Sequence, residues 1–195
     1  MKKTKGENGY INYYKKQYLL ISLGLLVAVL IIYFIGKVFA KDNFVFFAVG
    51  SAIMILPAAQ YLSKYFVFAN YKSGLRDSYM KFKDVHEQLI VLSDLIIVKG
   101  KKTMFFDFII NTDKMIVACH KAQNKKNDKK EEQLKVAKDL LSSIFKPKGY
   151  DLQIIVFSDE EEVLTYLIQN VKGTMNNIDE TAQDKVATII LQSAI

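Results

Sequence analysis

The chain of 195 residues holds a single cysteine, Cys119, so an intrachain disulfide is impossible. This suits a reducing compartment. Histidine is almost as scarce, with only His86 and His120, and no cysteines or histidines stand at zinc-binding spacing. There is no glycine-rich phosphate cradle and no serine-elbow motif, so the usual signals for nucleotide binding and serine hydrolysis are missing. Charge is missing altogether from residues 18–35 and 44–62. A transport pathway needs ionisable groups inside the membrane, and the centre of neither run supplies one. That argues against a channel or transporter.

Those two uncharged runs are the strongest signal present. At ~1.5 Å of rise per residue, each comes close to crossing a hydrocarbon layer of ~30 Å. The short polar turn 36–43 joins them, which predicts a transmembrane helical hairpin. The first run is too long for a signal peptide, no small-residue cleavage pattern follows it, and a second run comes at once. An uncleaved anchor is expected. Up to Phe68, eight lysines face only Glu7 and Asp42. Lys2, Lys3, Lys5, Lys15 and Lys16 precede the first run, while Lys37 and Lys41 lie in the turn. The positive-inside rule then keeps the N-terminus in the cytoplasm and returns the chain there after the second run. The expected arrangement is an integral, multi-pass protein with two spans and both termini cytoplasmic. It comprises an N-terminal segment (1–17), the hairpin (18–68) and a cytoplasmic α/β domain (69–195).

Within the hairpin, Gly24 with Ala28, and Gly50, Ser51 and Ala52, are small residues suited to close helix approach. Pro57 is expected to kink the second helix, and Lys64 can reach the interface by snorkelling. Beyond it, helical periodicity covers 77–92, followed by strand-like runs at 95–98, 104–111 and 115–120. A polar loop spans 121–130, then come a helix (131–145), an apolar strand (150–157) expected inside the sheet, and helices at 159–171 and 179–193. The order α-β-β-β-α-β-α-α predicts a mixed four-stranded sheet flanked by helices. Charge within this domain is uneven: 99–130 is basic and 151–195 acidic, either steering a partner or forming two solvated faces.

Alternation along 104–111 places Phe105, Asp107 and Ile109 on one face. If Asn111 pairs with Met115, Asp107 lies opposite Cys119 with Lys121 diagonal to it. An acid in so apolar a strand needs a partner, and Lys121 is the candidate. A one-residue slip would separate them.

Residues 106–121 are similar to the strand pair of the nuclease-related domain called NERD, within the restriction-endonuclease-like folds. Asp107 matches that family's aspartate and Lys121 the lysine of its Glu-x-Lys. Gln133 falls where the family often has glutamine, and Glu87 matches an accessory acid. The resemblance implies a Mg²⁺-dependent nuclease with Asp107 as metal ligand and Asp107, Lys121, Glu87 and Gln133 as catalytic residues. The departure is Cys119, which stands where the motif glutamate belongs, and a neutral thiol is a poor ligand for a hard cation. An inactive, non-catalytic binding or scaffold relative without a cofactor is therefore expected, and an active nuclease is the alternative. Asp107 with Lys121 also fits a plain structural ion pair. A Cys119–His86 nucleophile pair would require His86 to be brought across in space.

The basic stretch Lys121, Lys125, Lys126, Lys129 and Lys130 is either a solvated loop or a phosphate-contacting surface. Expected partners are the lipid bilayer and a protein or second copy of the chain. Nucleic acid is a weaker candidate. A further alternative is a small membrane subunit whose hairpin packs on a larger partner.

Overall fold

Two helices fill most of the first third of the chain, α1 (Tyr10–Phe39) and α2 (Phe44–Ala69), with a 3-10 turn at Lys41–Asn43 between them. A computed structural model describes residues 2–39, 41–100, 102–121, 127–170 and 179–195. Its contacts divide the chain into two units, residues 11–72 and residues 1–10 with 73–195.

In the helical unit, both helices are long and apolar enough to cross a membrane. Their flanks expose large apolar residues, among them Leu20, Leu30, Phe46 and Leu56. The close approach of the two helices falls at Gly36, where an added Cβ would sit 2.3 Å from Phe47 Cβ. Gly24 and Gly50, expected at helix contacts, have nothing within 4 Å of such an atom. Instead Tyr18 meets Tyr61 and Phe68 at ring-centroid distances of 6.1 and 5.9 Å, and Lys64 Nζ lies over the Tyr61 ring at 5.3 Å. Lys15 Nζ donates to the carbonyls of Ala69 (2.6 Å) and Tyr71 (3.2 Å). A cation thus meets the negative end of the α2 dipole. Pro57 lies within α2, which runs on as one helix.

The other unit has the expected element order: α3 (Arg76–Val85), β1 (Ile90–Lys99), β2 (Lys102–Asn111), β3 (Met115–Cys119), α4 (Asn127–Phe145), β4 (Gln153–Phe157), α5 (Glu160–Asn170) and α6 (Glu180–Ser193). The sheet is mixed, ordered β1-β2-β3-β4, antiparallel up to β3 and parallel between β3 and β4. Helices α4 and α6 cover one face, packing Leu141 and Ile190 on Leu95, Phe106 and Ile109. Helices α3 and α5 cover the other, packing Phe82 and Val163 on Phe108 and Val117.

Three boundaries depart from the periodicity. The first helix of this domain stops at Val85, because His86 is extended (φ −161°, ψ 136°), and Leu89 and Leu92 belong to the approach to β1 and to β1 itself. An apolar run such as 89–92 fits both periods, and pairing with β2 decides it. The apolar strand β4 lies at the edge of the sheet, not inside it. Its apolar character on both sides is explained by α4 and α5, one on each face. Third, α4 begins at Asn127, inside the stretch read as loop. The break expected near 173–177 lies outside the described residues.

At the opposite edge, β1 is sealed by Gly6 on one side of the hairpin sequence and by Ala194 and Ile195 on the other. Ser93 N–H donates to Gly6 O at 2.8 Å and Ile195 N–H to Ile96 O at 3.0 Å. Lys5 Nζ donates to Ala194 O at 2.7 Å, tying the two segments together. Covered edges do not recruit stray strands.

Candidate functional site

The β2–β3 register differs by one residue from that expected. Asn111 pairs with Ile116 and Phe108 with Cys119, so Asp107 does not lie opposite the thiol. The alternation also breaks. Phe106 and Ile109 face α4 and α6, while Phe108 and Ile110 face α3 and α5. The break coincides with one on the neighbouring strand, where Asp94 adopts φ +58°, a left-handed conformation rare for residues other than glycine. The β1–β2 pairing runs regularly to Ser93↔Phe108, skips one position and resumes at Leu95↔Phe106. The skipped residues are Asp94 and Asp107.

Both carboxylates are buried, at 1% and 4% exposure. Asp94 gathers donors: Gly9 N–H to Oδ2 (2.9 Å) and Gly74 N–H to Oδ1 (3.0 Å). Ser93 Oγ lies 3.1 Å from both Asp94 Oδ1 and the Asp107 carbonyl oxygen. Asp107 Oδ2 accepts the backbone N–H of Lys121 at 3.2 Å. Burial pushes the Asp107 carboxyl up to about 6, against the lowering effect of that hydrogen bond and of the Lys121 charge, with Glu160 and Asp94 adding to the rise.

The Lys121 ammonium does not pair with Asp107. It donates to Glu160 Oε1 at 2.5 Å, and Glu160 Oε2 accepts from Ser78 Oγ. Burial pulls the Lys121 ammonium down, but the hydrogen bond and charge of Glu160, with the charge of Asp107, outweigh it and hold it above the usual lysine range. Lys121 and Glu160 line an open cleft of about 330 Å³ with Asp77, Ser78 and Asp159; Asp107 does not reach its wall.

The other candidates are dispersed. Glu87 is exposed in the turn after α3, beyond the Ile90↔Asn111 end of the ladder and four positions from Asp107 along β2. Gln133 is on α4, one helical turn before Ala137, which packs in the core of the opposite face. Cys119 is fully buried, and burial, with the charges of Asp107 and Glu160, holds its thiol well above the usual range. It is not a nucleophile of the kind a low thiol pKa provides. His120 Nδ1–H donates to Phe105 O at 2.6 Å, the tautomer following from the acceptor-only partner, and burial lowers its pKa. Of the basic stretch, Lys125 and Lys126 lie outside the described residues, and Lys129 and Lys130 fall in the first turn of α4.

The donor set does not fit Mg²⁺. The cation prefers several oxygen ligands in an octahedron. Here one oxygen of Asp107 is taken by an amide, and the nearby Glu160 is neutralised by an ammonium. Among the described residues, no group of three or more His, Cys, Asp or Glu could hold a metal ion. Glu160, Asp94 and Ser78 carry this cluster and were not singled out from the sequence. The only trace of Glu160 there was its position at a helix start after an apolar strand.

No protein-family model, curated protein or solved structure matches the chain. The fold therefore defines the class: a hairpin of two long apolar helices joined to a small α/β domain with a mixed four-stranded sheet.

Proposed function

We propose that this chain is a membrane-anchored binding or scaffold protein whose α/β domain is a non-catalytic relative of restriction-endonuclease-like domains. Both termini lie in the cytoplasm, and a protein partner or second copy docks on the domain. The observation that carries the reading is the engagement of Asp107. The one carboxylate at the motif position is shut inside the sheet, holds a backbone amide and does not reach the neighbouring cleft. A hydrolytic centre needs its carboxylates open to metal, water and phosphate. The element order supports kinship with the fold, which by itself carries no activity.

The test is incubation of the purified full-length chain with single- and double-stranded DNA and RNA in Mg²⁺ or Mn²⁺. No cleavage above buffer is expected. Metal-dependent cleavage lost in Asp107→Ala would overturn the reading. One observation favours the nuclease alternative: Glu160 supplies a second carboxylate beside Lys121. In that case Glu160→Gln would also abolish cleavage.

A further inference from the structure

We propose that the groove between the N-terminal segment and α3 binds the phosphoryl headgroup of an anionic phospholipid. The inference rests on the membrane-anchor reading and adds a specific lipid site to it.

One wall is a stripe on α3. Arg76, Tyr79, Met80 and Lys83 stand at i, i+3, i+4 and i+7, and so share one helical face. The inward positions of the same helix, Phe82 and Val85, are buried in the core. The other wall is the segment preceding α1, which contributes Lys3, Glu7 and Asn8. Together these residues line an open groove of about 450 Å³, room for a headgroup. Asn8 stitches the walls, its Nδ2 donating to Gly74 O at 2.9 Å. The groove is thus held by the fold rather than by a loose tail.

Its chemistry suits a phosphodiester attached to acyl chains. Three cations face one carboxylate, Glu7, whose oxygens are occupied by Thr4 N–H (3.2 Å) and Thr4 Oγ1 (2.6 Å). Among the described residues, none of the three cations forms a salt bridge. Lys83 Nζ lies 5.1 Å from the Tyr79 ring centroid, a cation on an aromatic. Met80 is 49% exposed and Leu75, one position before the stripe, 62%. Basic and aromatic groups interleaved with exposed apolar side chains are the composition of a surface at the headgroup boundary. Chain length supplies the rest. Asn8 is two positions before α1, and Arg76 is seven positions after α2. Seven residues extend at most about 25 Å. The tether bounds the distance of Arg76 from the end of α2, and anionic lipid attracts cations that come within a Debye length of it.

The test measures thermal midpoints of the full-length chain in neutral detergent with added phosphatidylglycerol, phosphatidylcholine or inorganic phosphate, since a ligand of the folded state raises the midpoint. Phosphatidylglycerol should raise it and phosphatidylcholine should not. Arg76→Gln with Lys83→Gln should raise the phosphatidylglycerol concentration needed for the same shift about 30-fold, at roughly 1 kcal/mol per charge. Arg76→Lys should retain it, as should the distant control Lys185→Gln. Both replaced side chains are exposed, so the fold should survive. The proposal is overturned if phosphatidylcholine acts equally, if phosphate alone reproduces the effect, or if the double variant keeps it in full. Reconstitution separates the two levels. A chain that enters bilayers but shows no anionic preference sinks the groove alone. One that stays in water without detergent sinks the anchor and the groove with it.

Discussion

Asp94 and Asp107 stand opposite one another at the break in the β1–β2 ladder, two buried carboxylates on neighbouring strands. Each is stabilised by backbone amides, and each opposes the charge of the other. This pair, rather than the expected Asp107 and Cys119, organises the centre of the sheet.

The first prediction concerns pH. Asp94 on β1, Lys121 after β3, Glu160 on α5 and the Cys119 thiol surround Asp107. Its folded-state pKa is raised from 3.8 to about 6. The folded protein therefore holds that proton more tightly than the unfolded chain. Its contribution to stability is full below about pH 4 and is lost as pH rises through about 6. Asp107→Asn should stabilise the protein at pH 7.5 by about 2–3 kcal/mol and lose the advantage near pH 4. Denaturation midpoints of both proteins across pH 4–8 check this. A variant destabilised equally at every pH would refute it.

Asp94 should be the most sensitive position in the domain. Asp94→Ala leaves the amides of Gly9 and Gly74 without their acceptor and keeps a strained backbone, costing about 2–4 kcal/mol. Asp94→Asn tolerates the left-handed conformation and keeps one acceptor, so it should cost about half as much. Hydrogen exchange at Gly9 and Gly74 should accelerate in both. Slow exchange at either amide in Asp94→Ala would contradict the assignment.

Gly74 answers to sterics. A Cβ there would meet the Phe108 ring at 2.5 Å, and Phe108 is fully buried against Phe82. Gly74→Ala should destabilise by about 1–3 kcal/mol, relieved in part by Phe108→Leu in the same chain. Additive losses in the double variant would count against the contact.

In the hairpin, Gly36→Ala should disturb helix pairing, because Phe47 must move, while Gly24→Ala should be silent in the monomer. Cross-linking between cysteines placed on α1 and α2 reads the difference. Equal effects of the two substitutions would remove Gly36 from the helix contact.

The Lys121–Glu160 pair should be worth about 1 kcal/mol in a double-mutant cycle, since the Lys121 side chain is half exposed and screened. Glu160→Gln should cost less than Lys121→Ala, because only the latter strands a buried carboxylate. Urea titrations of the four proteins measure the coupling, and additivity would dismiss it.

The element order was legible because each helix after the hairpin carries one apolar face and each strand an apolar run. The register was not. It is set by the β2–β3 turn, which closes between Thr112 and Met115 rather than between Asn111 and Met115, and that one-position difference puts Phe108, not Asp107, across from Cys119. Glu160 was hidden for another reason. It lies 39 positions from Lys121, and a long-range ion pair leaves no periodicity. Helix α3 was overextended because Leu89 and Leu92 continue its spacing while pairing claims them for the sheet.

The seal on β1 sets a timetable for biogenesis. Lys5 and Ala194 are separated by 189 positions, so the segment carrying Lys5 must wait for residues near 194 to emerge from the ribosome. The strand edge stays open until synthesis has passed that point. Its closure is a late, slow step of high contact order. Until then, the nascent domain carries an unpaired strand edge, the kind of surface that invites aggregation.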